Sequence, residues 1–373
     1  MSKWDTIRKD FAVTKSYTYL ANAAASPIPR PVYTQAIKFY DEFYCYGDTL
    51  WKIWSEKIKE TRKLYAMLIG AKCNEIGFTH STSEGMNIIA HMLFNKGEIL
   101  SNDIEFPSST LPWLNLGADI SFVRSQNGRV SIGQIRRKVK TKTKTILTSH
   151  VQYSTGFKQD LIDLGRLARE KGLYLVVNGT QSIGALRFDV KRFNVDFMAS
   201  DGHKWMLSSY GVGVLYIRSE YLQNSAGFKP PFYSYLGQKN KNIFNNQLLD
   251  ISKTASRFEL GSPHFPNIFA LNAAIKYILN IGMISIEKRI QTLVQYLIEK
   301  LREINLSILS PVEVKHRSGI VIFKSSNAEH LVSMLKKDGI IVSARGGGVR
   351  ISPHFYNNEE DIDKLVLSLK HLI

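Results

Sequence analysis

The chain has 373 residues, with 49 Lys and Arg against 32 Asp and Glu, so it carries a formal net charge of +17. That length exceeds what one hydrophobic core fills, and 44% hydrophobic with 22% charged residues is the balance of a water-soluble globular protein of two domains. No apolar run approaches the roughly 18 residues of a membrane span, and the two cysteines, Cys45 and Cys73, offer neither a disulfide framework nor zinc spacing, so no membrane and no metal are expected.

The opening stretch, "MSKWDTIRKDF", has no apolar segment that could act as a signal peptide, so the expected setting is intracellular and cytoplasmic. From about residue 60 to 217, helical patterns alternate with short apolar runs. They include "KETRKLYAMLIGA", "EIGFTHS", "EGMNIIAHMLF", "EILSNDIEF", "DISFVRS", "TILTSHV", "LIDLGRLAREKG", "LYLVVNG", "DFMASDG" and "GVGVLYIR". Strands alternating with helices at this spacing predict a large α/β domain with a mainly parallel sheet covered on both faces. Within it, "IRRKVKTKTKT" (135–145) concentrates positive charge without interleaved aromatic rings, which reads as a solvated face and makes nucleic acid an unfavoured partner. Residues 223–256 read as a long loop. The helices "NIFALNAAIKYILNIGM" and "EKRIQTLVQYLIEKLREI", the strands "GIVIFKS" and "IIVSARGGGVRIS", and a closing helix then form a smaller α+β domain. The expected division is 15–255 and 256–373, the second joined by the N-terminal segment 1–14.

Ligands of an open α/β sheet bind beyond the carboxyl ends of its strands. Four such ends are polar: "THSTSEG", "NDIEFPS", "VVNGTQ" and "SDGHKW". Ser81, Thr82 and Ser83 open directly into a helix and suit a phosphate. Ser81 followed by Glu84 equally fits a simple capping box. Lys204 ends an apolar run between His203 and Trp205, where desolvation disfavours its ammonium form and leaves an amine able to form a Schiff base. A lysine snorkelling from a strand end is the plain alternative. Together with Phe106 and Asn178 on the same predicted edge, these residues supply a phosphate cup, a ring stack, a partner for a pyridine nitrogen and an amine, the four needs of pyridoxal 5'-phosphate.

At these residues the sequence resembles the class V aminotransferases of fold type I, the group of cysteine desulfurases, selenocysteine lyases and isopenicillin N epimerase-like proteins. The resemblance runs from "YLANAAASPIP" through "FTHSTSEGMNIIA", "EFPSSTLPW", "SHVQYSTGFKQDL", "VVNGTQSIGA", "SDGHKW" and "RFELGSP" to "ARGGGVRISPHFYNNEEDID". It implies that Lys204 is the Schiff-base lysine, that Thr82, Ser83 and His203 hold the phosphate, and that Gln181 bonds the phenolic oxygen of the cofactor. It further implies that Phe106 stacks on the ring and that Arg350 grips the carboxylate of a small amino-acid substrate. Ser262 would reach the phosphate of a neighbouring subunit, giving a homodimer with composite sites. Asn22 and Tyr153 are expected near the substrate side chain.

The sequence also departs from the family. Asn178 replaces an aspartate, Asp201 stands where many members have a phosphate-binding serine, and "SSYG" (208–211) replaces a Gly-Pro turn. No cysteine lies in "DGIIVSARGGGVR", where desulfurases keep their persulfide nucleophile. A transaminase, lyase or epimerase-like enzyme is expected, with a cofactor-binding homologue of attenuated catalysis, serving as regulator or scaffold, as the alternative.

Overall fold

The computed structural model describes residues 2–224, 227–241 and 243–373. Its central sheet has seven strands: β2 (Ile76–Thr79), β3 (Glu98–Asn102), β4 (Ile120–Val123), β5 (Thr143–Ser149), β6 (Tyr174–Asn178), β7 (Phe197–Asp201) and β8 (Gly213–Ile217). These follow a short β1 (Thr18–Tyr19). Their spatial order is β2-β8-β7-β6-β5-β3-β4, and β8 alone runs antiparallel to its neighbours. The mainly parallel α/β sheet expected from the alternating pattern is therefore present.

Both faces are buried, as the uninterrupted apolar runs require. Leu175, Val177 and Met198 join one core, while their chain neighbours Val176, Phe197 and Ala199 join the other, following the two-residue period of a strand. The two cores are clamped through Asp196, at the foot of β7. Its carboxylate accepts from the Leu175 amide at 2.8 Å and pairs with Arg169 and Arg218 at 2.7 and 3.0 Å.

Four further strands follow the long loop: β9 (Val321–Lys324), β10 (Ile340–Ile341), β11 (Ser343–Arg345) and β12 (Gly348–Ile351). The run "IIVSARGGGVRIS" reads as a single strand but folds into three. Gly346 and Gly347 adopt φ of 64° and 81°, turning β11 back onto β12 through a two-residue connection that requires positive φ at both centres. β1 pairs with β10 in parallel, and Arg8 makes a bidentate contact with Asp361 at 2.7 and 2.9 Å. The first twenty or so residues are thus tied to the C-terminal elements. Among the described residues no single helix is long and apolar enough to cross a membrane; Phe265–Ile281 and Met283–Glu303 approach that composition together but meet at 80°.

The basic run 135–145 is partly neutralised on the surface, by Arg136–Glu170 at 2.8 Å and by Lys142–Asp119 at 2.6 Å.

Candidate active site

The parallel strands all deliver their carboxyl ends to one edge, and a cavity of about 320 Å³ opens there. It is lined by Thr82 and Ser83 after β2, Phe106 after β3, Tyr153 after β5, Asn178 and Gln181 at and after β6, and Asp201, His203 and Lys204 at the end of β7. Arg350 enters from β12, which brings the C-terminal part of the chain over the sheet edge. Ten of the thirteen expected site residues therefore meet in one cavity.

Three do not. Ser81 caps the helix Thr82–Leu93, its Oγ accepting the Glu84 amide at 3.2 Å, and it does not line the cavity. The reciprocal half of a capping box is missing, because the Glu84 carboxylate accepts from the His80 amide instead. Asn22 is fully buried, with Nδ2 donating to the Ser352 carbonyl and Oδ1 accepting from Ser26 and Tyr356. Its side chain ties these segments together, and its neighbours Ala23 and Ala24 line the cavity. Ser262 lines a different cavity, of about 670 Å³, together with His264, Trp51 and Phe244.

Lys204 is held by what surrounds it. The Trp205 indole is wholly buried and donates to Gln181 Oε1 at 2.8 Å, while the Trp205 carbonyl contacts His354 Nε2 at 3.1 Å. Gly184 lies so close beneath this carbonyl that a Cβ there would sit 2.2 Å from the oxygen, and its φ of 97° also demands glycine. Among the described residues Lys204 Nζ has no hydrogen bond or ion pair; it sits 5.7 Å from the Phe106 ring centroid. Burial pushes its pKa down, opposed by the charge of Asp201 and aided by that of Arg350. The desolvation anticipated from "HKW" is thus present and shifts the balance toward the amine.

His354 reports on this lock. Nδ1 accepts the Phe355 amide at 2.8 Å, so Nε2 carries the proton and donates to Trp205. Burial lowers the ring's pKa to about 4, against an ordinary value of about 6.5. Its stabilising contribution is complete above pH 6.5 and disappears as pH falls toward 4, by about 1.4 kcal/mol per pH unit. Denaturant titration at pH 7 and pH 5 should show about 2 kcal/mol lost from this group. A His354→Gln variant should show a correspondingly smaller pH dependence, and an unchanged one would contradict the assignment. His150, also buried and lowered to about 3, acts in the same direction and leaves a residual slope.

Asn178 has both ends of its amide engaged: Oδ1 accepts the Thr180 amide at 3.0 Å and Nδ2 donates to Ser109 Oγ at 3.0 Å. Asp201 occupies the start of the helix Thr82–Leu93, with its carboxylate accepting from Thr82 N at 3.1 Å and Thr82 Oγ1 at 2.8 Å. Leu207 takes φ of 57°, uncommon for a non-glycine residue, and Tyr210 stacks on the His203 ring with centroids 4.3 Å apart. Burial pushes the pKa of His203 down, with Asp201 opposing.

Phe106 is positioned by its neighbour Glu105. That buried carboxylate accepts from Ser149 N and Oγ at 2.6 Å each and from Gln152 Nε2 at 2.5 Å, fixing the turn after β3. The ring then meets Tyr153 edge-on, with centroids 5.0 Å apart. Sequence reading missed Tyr210 and Arg345, which also line the cavity. Tyr210 sits in the "SSYG" departure itself, and Arg345 lies five residues before Arg350, so both signals were available.

An unpartnered amine, an amide in the floor, hydroxyls at a helix start and an aromatic wall fit a phosphorylated carbonyl cofactor in a fold type I α/β enzyme. The chain belongs to the aminotransferase class-V family, which it matches over residues 18–365. It is an enzyme of that family, and pyridoxal phosphate is the cofactor the family fold serves. A probable cysteine desulfurase of Pyrococcus abyssi is 30% identical, over 99% of this chain and 97% of that protein. An uncharacterised aminotransferase of Bacillus subtilis, YcbU, is 29% identical over 95% and 94%. The apo structure of a cysteine desulfurase from Thermococcus onnurineus is 28% identical and superposes with a TM-score of 0.90, covering 100% of this chain and 98% of that one.

Proposed function

We propose that the protein is an amino-acid enzyme in which Lys204 carries pyridoxal phosphate, with transamination, elimination or epimerisation at the substrate's α-carbon as the reaction. The observation that carries this reading is Lys204 itself: a desolvated lysine whose Nζ has no polar partner among the described residues, lining one cavity with a buried arginine. When bound, the cofactor supplies an electron sink that stabilises negative charge at the substrate α-carbon.

The chain's own residues do the rest. Arg350 is almost wholly buried, and its guanidinium donates to Ser343 Oγ at 3.1 Å and to the Tyr153 carbonyl at 3.1 Å, leaving further N–H groups for a carboxylate. Burial and the nearby Arg345 lower its pKa to about 10, still far above neutral pH, so the clamp stays charged. Phe106 and Tyr153 form an aromatic wall of the cavity, while Lys204 Nζ would take and return the α-proton. Thr82, Ser83 and His203 would hold the phosphate, and Gln181, whose Nε2 also donates to the Ala23 carbonyl at 2.9 Å, the phenolic oxygen.

Neither cysteine of the chain lines this cavity: Cys45 is exposed, and Cys73 is exposed at the separate cavity that holds Ser262. That placement favours a reaction without a persulfide-forming cysteine from the same chain. A second reading, a cofactor-binding protein with attenuated catalysis, draws on Asp201, whose negative charge sits where a phosphate would approach the helix start. The two readings part on turnover by the reconstituted protein with a panel of amino acids.

Borohydride treatment of the reconstituted protein, followed by peptide mapping, should find a pyridoxyl adduct on Lys204. An adduct on another lysine, or none, would overturn the proposal. The active unit is taken to be a two-fold homodimer, since Ser262 lies outside its own chain's Lys204 cavity and borders exposed Trp51, Phe244 and Leu260. Sedimentation at micromolar concentration should give dimers, and mixing Lys204→Ala with Ser262→Ala chains under subunit exchange should restore activity above either parent. A purely monomeric profile would refute the assembly.

A further inference from the structure

We propose that Arg345 holds a second anionic group on the substrate side chain, so that the cavity selects acidic amino acids over neutral ones. This rests on the preceding reading, in which Arg350 receives the α-carboxylate.

The geometry begins with the β11–β12 hairpin. Ser343 pairs with Arg350 and Arg345 with Gly348, so residues 343, 345, 348 and 350 share one face. Arg345 and Arg350 are therefore diagonal neighbours across the two strands, within reach of a single ligand bearing two charges. Both line the Lys204 cavity. Opposite Arg345 stands Gly348, which adds no side chain between the guanidinium and the cavity.

The hairpin tip is also fixed. A Cβ on Gly346 would lie 1.9 Å from the Ser154 carbonyl oxygen, so the turn is pressed against the backbone of the loop that contributes Tyr153. Arg350 reaches the same loop through the Tyr153 carbonyl. Arg345 thus projects from a braced turn, which reduces the ordering needed when a ligand binds.

The charges in the cavity are unequal. Arg345 and Arg350 are cationic, and the acid that lines it is Asp201, whose two oxygens are engaged by Thr82. The guanidinium of Arg345 donates to the Ala344 carbonyl at 3.0 Å, and that of Arg350 to Ser343 and Tyr153; among the described residues neither meets a carboxylate. One arginine answers the α-carboxylate common to all amino acids. The second is left without a counter-charge unless the side chain supplies one, and guanidinium forks suit carboxylates. A solvated surface arginine is the plain alternative, since Arg345 is exposed in the free chain.

Unreactive acids separate these cases without requiring turnover. Calorimetric titration of the holoenzyme with succinate and glutarate, against propionate and butyrate, should give dissociation constants at least about tenfold lower for the dicarboxylates. Arg345→Gln should bring the two classes within about threefold of each other by weakening the dicarboxylates, and Arg345→Lys should recover part of the preference. Equal affinities in the wild type, or a preference that survives Arg345→Gln, overturn the inference. Arg350→Gln serves as the separate control: it should weaken both classes. If it leaves the monocarboxylates unaffected, the α-carboxylate assignment fails, and a missing borohydride adduct on Lys204 would remove the underlying function instead.

Discussion

Lys204→Ala should lower turnover by about 10²- to 10⁴-fold, the range lost when a positioned proton-transfer group is removed. The fold should survive, because the side chain's polar end makes no hydrogen bond or ion pair within the described structure, and Trp205, Gln181 and His354 brace the segment independently. Circular dichroism and thermal midpoints should therefore match the wild type, while the borohydride adduct disappears. Exogenous small primary amines should restore part of the rate, since the lost function is an amine at a fixed position. Turnover within about tenfold of wild type would show that another group performs this step.

How far the sequence disclosed this site depended on the kind of information each residue carries. The strands β5 to β7 are buried on both faces, so "TILTSHV", "LYLVVNG" and "DFMASDG" announce themselves as apolar runs, and their polar endings mark the functional edge. Lys204, Asn178 and Phe106 are legible because each sits at such an ending. Asn22 carries a different kind of information: a polar residue in a small-residue stretch looks available, while its amide is engaged by Ser352, Ser26 and Tyr356, contacts separated by up to 334 positions in the chain. Ser81 is similar, since a cap and an anion seat use the same residues until the tertiary neighbour Asp201 is known. The hairpin that carries Arg345 was hidden because three consecutive glycines leave the position of the turn undetermined. Only the pairing of Arg345 with Gly348 shows which side chains share the face of Arg350.

Asn178→Asp should raise the rate of α-proton-dependent chemistry by about ten- to a thousand-fold, each tenfold corresponding to about 1.4 kcal/mol of barrier. We propose that Asn178 holds the cofactor's ring nitrogen unprotonated, and the hydrogen bonds around it supply the reason. The Thr180 amide donates to Oδ1, which fixes the amide's orientation and leaves Nδ2 as the end facing Ser109 and the cavity. A ring nitrogen beside that NH₂ group must accept a hydrogen bond and so stays without its own proton. An aspartate would keep the Thr180 contact with one oxygen, turn the Ser109 hydroxyl into a donor, and present negative charge that raises the ring nitrogen's pKa. A protonated ring withdraws electrons from the α-carbon more strongly, hence the faster proton loss. Spontaneous deamidation at Asn178-Gly179 could produce the same aspartate, but it requires attack by the Gly179 nitrogen, and that N–H is tied to the Ala199 carbonyl at 2.9 Å. Mass mapping of residues 174–187 should accordingly find asparagine intact. Nitrogen-15 spectra of ring-labelled cofactor then test the electronic step directly: an unprotonated ring nitrogen in the wild type and a protonated one in Asn178→Asp. Identical shifts and equal half-reaction rates at matched cofactor occupancy would show that this asparagine does not govern the ring.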